Sequence, residues 1–371
     1  MTDTTIVAIE TVLLEIPWSG EPPANGIMPP THREFLVLEI KTASGLVGMG
    51  YLQPLAGGLR TLESCMHDMI APIVLGRDAT EVEGIWQSLW KSTYWMGRGG
   101  IATWCLSAVD VALWDVVGKR AELPLYRLWG QCREEMPAYG SGCWRGLGRD
   151  GMIDRAKHFT GMGLKAIKMQ AGHIRPWRED VKNVMAMREA MGDDIEIMID
   201  VNMGWTTDTA IQAGHHLDDY DIYWLEEPVV CEDFDGYQRV AAALKTRVVG
   251  GESHFTRYDL RPFFKTPSSP ILQPDHQRGG LTEMRKIAAV AETWGIQIAP
   301  HLFHELTVHL MASIPNANYL EYMDWNDDIW IEPVIPQNGV VRPPQAPGHG
   351  LAFRTELLSS CRVGGTETTR T

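Results

Sequence analysis

Cysteine is scarce in this chain and shows no pattern. Cys65, Cys105, Cys132, Cys143, Cys231 and Cys361 make no CxxC pair and no regular spacing. A disulfide framework is therefore disfavoured, and reduced thiols in a cytoplasmic protein are expected. Positive charge is also in deficit: 33 Lys and Arg stand against 47 Asp and Glu, a formal net charge of −14. Binding along a phosphate backbone needs clustered cations, so nucleic acid is not an expected partner. The opening MTDTTIVAIE lacks the basic and apolar regions of a signal peptide. No uninterrupted apolar run approaches ~18 residues, so no membrane span is expected. The phosphate-loop pattern GxxxxGK[ST] is absent as well.

What remains is a 371-residue chain of ordinary globular composition, long enough for more than one domain. Its first 60 residues read as strands: IVAIETVLLEI and REFLVLEIKTASGLVGMGYLQPL, with ASG as a turn. Between them, PWSGEPPANGIMPPTH is a Pro/Gly-rich loop of the kind that forms lids. IATWCLSAVDVALWDVVGKRAELPLYRLWG is helical up to Pro124, and its Asp110 and Asp115 are expected to tie down neighbouring loops.

From about Met136 the pattern changes. Short apolar runs alternate with amphipathic helical stretches: MPAYGSG, GLKAIKMQ, IEIMIDVN, IYWLEEP, RVVGGESH, PILQPDHQ, IQIAPHLFHE and NYLEYMD. REDVKNVMAMREAMG is a helix with acids in its first turn and Gly192 at its end. Repeated strand–helix units imply a parallel sheet, and eight of them suggest an α/β fold of the closed (β/α)8, or TIM-barrel, type. An open doubly wound sheet is the alternative; it would carry a Gly-rich GxGxxG fingerprint after an early strand, and none is expected here.

The runs end in polar residues: Lys168, Asp200, Glu226, Glu252, Asp275, His301 and Glu321, with gaps of 32, 26, 26, 23, 26 and 20 residues. That is one strand–helix repeat each, so these residues belong at one rim. The C-terminal rim is where such barrels carry active sites. Asp200, Glu226 and Glu252 come from successive strands and can converge on a point. Anions about 4 Å apart repel by roughly 4 kcal/mol per pair at an effective dielectric near 20. A positive partner is required. All-oxygen ligands suit a hard cation such as Mg²⁺, the alternative being a lysine-paired or partly protonated cluster. Asp275 beside His301 makes a general base. Glu321, next to other acids, is expected to be protonated and to donate to an oxyanion. HELTVH is not a zinc helix: its histidines are five apart, about 140° round a helix.

Taken in order, AVDVALWDVVGKRAELPLYRLWG, IDVN, WLEEP, GES, QPDHQRGG, PHLFHE and YLE resemble the mandelate racemase subgroup of the enolase superfamily over essentially the whole chain. The resemblance implies an N-terminal α+β capping domain (1–125) with a lid loop, a modified barrel (126–330) and a C-terminal segment (331–371) returning to the capping domain. It implies Mg²⁺ on Asp200, Glu226 and Glu252, an Asp275–His301 acid/base dyad, Glu321 beside a substrate carboxylate, and a homo-oligomer. Racemases of the subgroup carry K-x-K on the second barrel strand. Here Lys168 keeps the first lysine, while Gln170 replaces the second, which serves as base on one face.

Gln has no proton to exchange, so one face keeps its base and the other does not. The expected reaction is dehydration of an acid sugar (aldonate or aldarate) to a 2-keto-3-deoxy acid, with His301 removing the α-proton and Lys168 and Glu321 holding the enediolate. Racemisation or epimerisation of a 2-hydroxy acid, and a non-catalytic metal-binding relic, are the alternatives. Candidate substrate contacts are Gln170, His173, His32, Arg33 and His254, the last by strand parity with Glu252; Tyr51 and His276 are weaker candidates. The tail RVGGTETTRT is small and polar and is expected to fray.

Overall fold

β1 (Ile6–Pro17), β2 (His32–Thr42) and β3 (Val47–Leu52) form an antiparallel sheet in that spatial order. The structure, a computed structural model, describes residues 2–19, 23, 31–173, 176–266 and 268–370; most of the Pro/Gly-rich loop lies outside them. The turn between β2 and β3 uses Gly45 at φ +86°, a conformation open to glycine. Successive strand residues point to opposite faces, and here each face serves a different core. Leu13, Leu36, Leu38 and Ile40 pack on helices Leu59–Cys65, Val82–Ser92 and Ile101–Ala121. Leu14, Phe35, Val37 and Tyr51 join the core of the barrel. A Cβ on Gly48 or Gly50 would lie 2.1 Å from the carbonyl oxygen of Ala112 or Ala108. Glycine thus sets how closely β3 approaches the last helix.

The 21-residue helix Ile101–Ala121 is, by length and composition, apolar enough to cross a bilayer, but 78% of its most apolar window is buried inside the protein. Its acids act as the sequence reading expects. Asp110 accepts from the Thr282 amide at 2.8 Å. Asp115 accepts from the Met49 amide at 2.9 Å and pairs with Lys119 at 2.6 Å.

β4 (Met136–Cys143), β5 (Ala166–Gln170), β6 (Glu196–Asp200), β7 (Ile222–Glu226) and β8 (Arg247–Val249) run parallel. β9 (Ile271–Leu272) pairs with β10 (Gln297–Ile298), and β11 (Leu320–Tyr322) pairs with β4. Parallel bridges Gly250–Leu272 and Ile298–Ala317 complete the ring. The eight-stranded closed barrel read from the strand–helix repeat is what forms. Its interior is a packed layer of Tyr139, Ala166, Met198, Trp224, Val249, Ile271 and Ala299. The expectation of no dinucleotide fingerprint is corrected at GLGRDG (146–151), which has the GxGxxG spacing. It opens helix Gly148–Gly161 after β4, but in a closed barrel there is no strand-order reversal to make a dinucleotide crevice.

The tail corrects its expectation. After β12 (Val340–Val341), which pairs with β4, come β13 (Arg362–Gly364) and β14 (Glu367–Thr369), both antiparallel to β1. They cover an edge of β1 that would otherwise present unpaired backbone groups. Backbone pairing, which composition does not reveal, holds this polar stretch in place.

Candidate active site

The inward positions of β5 are Ala166, Lys168 and Gln170, and the last two stand above the packed layer. Lys168 Nζ lies 2.6 Å from Glu226 Oε1 and 2.9 Å from Glu321 Oε1, and over the Tyr139 ring. The other Glu226 oxygen accepts from Trp224 Nε1 at 2.9 Å. Burial lowers the ammonium pKa, yet the carboxylates on either side win and hold it well above its usual value. Glu321 Oε2 accepts the Leu302 amide at 2.7 Å. Burial raises Glu321, but Lys168, His301 and that amide carry it below the usual carboxylate range. The expectation of a protonated Glu321 is therefore corrected: its neighbour on β5 is a cation, and it is held as an anion.

Asp275 Oδ2 sits 2.9 Å from His301 Nδ1, and Oδ1 accepts the Gln277 amide at 2.7 Å. Burial raises Asp275, but His301, with His276 and Arg278, holds it below its usual range. His301 Nε2 is turned toward Glu252 Oε2, at 3.6 Å. Burial lowers His301, but Glu252 and Asp275 bring it up to about 10. Glu252 itself is raised to about 8 by burial, with Glu227 and Asp200 adding to it against the pull of His301.

Opposite this wall stands a second network. Gln170 Oε1 accepts from Arg145 Nε at 3.3 Å, and its Nε2 donates to Asn202 Oδ1 at 2.9 Å. Arg145 also donates to Asn202 Oδ1. Asn202 in turn gives its amide and its Nδ2 to the two oxygens of Asp200, at 2.8 and 2.6 Å. His173, at φ +59°, bonds through Nε2 to the Asn202 carbonyl at 2.6 Å.

Both walls face one cavity of about 600 Å³, lined among others by Lys168, Gln170, His173, Asp200, Glu252, Asp275, His301 and Glu321. The capping domain contributes Leu55, Ala56 and Trp104; Trp144 and Trp325, stacked with centroids 5.9 Å apart, form another side. Glu226 lies just beneath, fully buried.

Five candidate contacts lie elsewhere. Arg33 is fully buried and does not line the cavity; its Nη atoms pair with Asp328 at 2.6 and 2.9 Å and donate to the Pro17 and Trp325 carbonyls. That arrangement clamps the capping sheet to the segment after β11. His32 is also outside the cavity, grouped with Glu15 and Glu34. His254 donates to or accepts at the Cys231 carbonyl, 3.0 Å away, and packs on Phe234 and Phe263. Strand parity failed for His254 because β8 ends at Val249 and a turn follows. Tyr51 bonds Glu305 in the core, and His276 packs on Phe303 beside it. Conversely, Arg145, Asn202 and Glu227 line the cavity without having been singled out. All three follow strand ends in the sequence, and Asn202 and Glu227 also lie inside the motifs IDVN and WLEEP.

Residues 151–357 match the family model Enolase C-terminal domain-like, and residues 8–130 match Mandelate racemase / muconate lactonizing enzyme, N-terminal domain. The chain belongs to the mandelate racemase and muconate lactonizing enzyme family of the enolase superfamily. Within that family it is similar to a 3,6-anhydro-alpha-L-galactonate cycloisomerase of Streptomyces coelicolor, 36% identical over 89% of this chain and 92% of the relative. Among solved structures it is similar to a racemase from Streptomyces coelicolor A3(2) with bound magnesium (TM-score 0.91, 34% identity, 96% of this chain and 100% of that one). A second is the L-talarate dehydratase from Polaromonas sp. JS666 complexed with Mg and L-glucarate (TM-score 0.91, 27% identity, 99% of this chain and 100% of that one). The two-part architecture is thus that of the enolase superfamily: a capping domain on a modified barrel.

Proposed function

We propose that this chain eliminates a β-oxygen from an acid sugar with the help of Mg²⁺, most directly as an acid-sugar dehydratase that yields a 2-keto-3-deoxy acid. The observation that carries the reading is the asymmetry of the cavity. One wall holds a histidine backed by a carboxylate at 2.9 Å. At the matching position on the other wall stands Gln170, its amide engaged by Arg145 and Asn202. Racemisation needs a base on each face of a planar intermediate, whereas elimination needs one.

The donor set fits a hard cation. Asp200, Glu226 and Glu252 are all oxygen donors, and Glu252 Oε2 is buried with no hydrogen-bond partner among the described residues. When bound there, Mg²⁺ would supply Lewis-acid charge to the substrate carboxylate and offset the anions around His301.

His301 Nε2 takes the α-proton. Asp275 orients the ring through Nδ1 and stabilises the imidazolium that forms. The released electron pair moves into the carboxylate to give an enediolate, and Lys168 donates to one of its oxygens. Glu321 holds Lys168 from the other side. The β C–O bond then breaks, and the proton on His301 goes to the leaving oxygen on the same face. Tautomerisation of the enol gives the keto acid. Gln170, Arg145 and His173 present polar groups to the remaining hydroxyls.

The cycloisomerase similarity supports a second reading of the same chemistry, in which the leaving oxygen belongs to a ring ether. Product mass separates the two: dehydration loses one water, and ring opening conserves the formula. The test is a panel of aldonates, aldarates and anhydro-aldonates with MgCl₂, scored for 2-keto acid and product mass. Keto acid from at least one member, lost in His301→Asn, is expected. No keto acid from any member, or an unaffected His301→Asn enzyme, would overturn the proposal. Exchange of the α-proton into both epimers in D₂O would restore racemisation.

A further inference from the structure

Six carboxylates surround the base of the cavity, and most of them have a visible partner. Asp200 has Asn202; Glu226 has Lys168 and Trp224; Asp275 has His301 and Gln277; Glu321 has Lys168 and the Leu302 amide. The exceptions are Glu252 Oε2, which faces His301 Nε2 at 3.6 Å without a hydrogen bond, and Glu227, for whose two oxygens no hydrogen-bond partner occurs among the described residues. Glu227 is fully buried and still lines the cavity. Burial raises Glu227 to about 7, with Asp200 and Glu226 adding to it, against the pull of the Ser253 hydroxyl, which does not reach hydrogen-bond geometry.

Its position is built rather than incidental. On β7 the inward residues are Trp224 and Glu226, so regular alternation would send Glu227 away from the site. Instead Glu227 adopts φ +37°, a region that non-glycine residues seldom occupy and that clusters at functional sites. Its amide donates to the Val249 carbonyl at 3.1 Å, and its carbonyl accepts the Met203 amide at 2.7 Å. Two flanking segments thus pin the twist that keeps Glu227 on the cavity, next to Glu226 beneath it.

We infer that Glu227 is a fourth carboxylate of the divalent-cation site, acting with Asp200, Glu226 and Glu252; this rests on the cation reading above. A carboxylate is acceptor-only when ionised, so a buried pair of oxygens without donors calls for a cation or the water that it carries. Mg²⁺ keeps several waters when protein-bound, and these are the donors that Glu227 lacks. The sugar hydroxyls already have Gln170, Arg145 and His173 on the opposite wall.

The test uses Mn²⁺ as probe on metal-stripped full-length protein, with free Mn²⁺ read by electron paramagnetic resonance. Glu227→Gln is expected to weaken Mn²⁺ binding by ~10–100-fold, the range for residues supporting metal ligands. Its melting temperature in chelator should be no lower than wild type, and Glu227→Asp should fall between the two in affinity. Glu252→Gln should lose at least as much. Wild-type affinity in Glu227→Gln beside a weakened Glu252→Gln would overturn the inference alone. Wild-type affinity in both would overturn the cation reading and this inference with it. Should Glu227→Gln fail to fold, Glu227→Asp decides: unchanged Mn²⁺ affinity in it overturns the role.

Discussion

The two walls of the cavity are built from the same barrel yet do different work. On the wall of Asp275, His301 and Glu321 every group titrates, and each pKa is displaced by its neighbours. On the wall of Arg145, Gln170 and Asn202 two of the three side chains are amides, and the third is a guanidinium that stays charged. The difference shows that chemistry and recognition are divided between faces. A proton acceptor needs strong fields and a carboxylate behind it. A hydroxyl-binding surface needs fixed donors and acceptors that do not change charge during the reaction.

The largest effect expected from breaking this division is on the titrating wall. His301→Asn keeps a hydrogen-bonding side chain but removes the base. Turnover to keto acid should fall by roughly 10²–10⁴-fold, with substrate binding little changed. A steady-state comparison on the best substrate of the panel checks it. A loss confined to KM would place His301 among the binding groups and erase the difference between the walls.

A second prediction guards the comparison against a false positive. Loss of activity in acid would be credited to the titrating wall, but His309 offers another cause. It is fully buried; its Nε2 meets the His349 carbonyl at 3.0 Å and its Nδ1 accepts the Tyr126 amide at 3.4 Å. Those contacts use both ring nitrogens of the neutral form, and burial lowers His309 to about 4 from 6.5. Between those values the unfolded chain binds the extra proton. Stability from this residue is therefore complete above pH 6.5 and is lost progressively as pH falls toward 4, in total about 3 kcal/mol. His309→Gln should unfold in urea at a midpoint that drops less between pH 7 and 4.5 than that of wild type. Equal slopes would clear His309 and leave the acid limb to the cavity.

How much of this was legible in the sequence follows from what local pattern encodes. The barrel and seven rim residues could be read because strand ends recur at the period of one strand–helix unit, from Lys168 to Glu321. Alternation also placed Lys168 and Gln170 inward correctly. It failed wherever the backbone left the strand: His254 lies in a turn, and Glu227 is turned inward by a positive φ. Arg33 looked available because its sequence neighbourhood does not show the partner that claims it, Asp328, 295 residues away. The charge state of Glu321 depended on whether Lys168 reaches it, a matter of ångströms rather than of pattern. The tail was misread because strand pairing at the edge of β1 needs backbone groups, not apolar side chains.

The smallest expected effect lies on the wall of Gln170 and sharpens the comparison most. Gln170→Ala removes the amide that joins Arg145 to Asn202 but touches no proton that moves. KM should rise about tenfold, the equivalent of about 1.4 kcal/mol, while kcat changes less than threefold. A uniform loss of binding has that signature. Asn202 would keep both bonds to Asp200, so the cation ligand stays in place and the KM change reports on substrate. If kcat fell instead, in step with kcat/KM, Gln170 would be acting in the transition state. The wall opposite His301 would then belong to the chemistry, and the one-sided elimination would need a second participant.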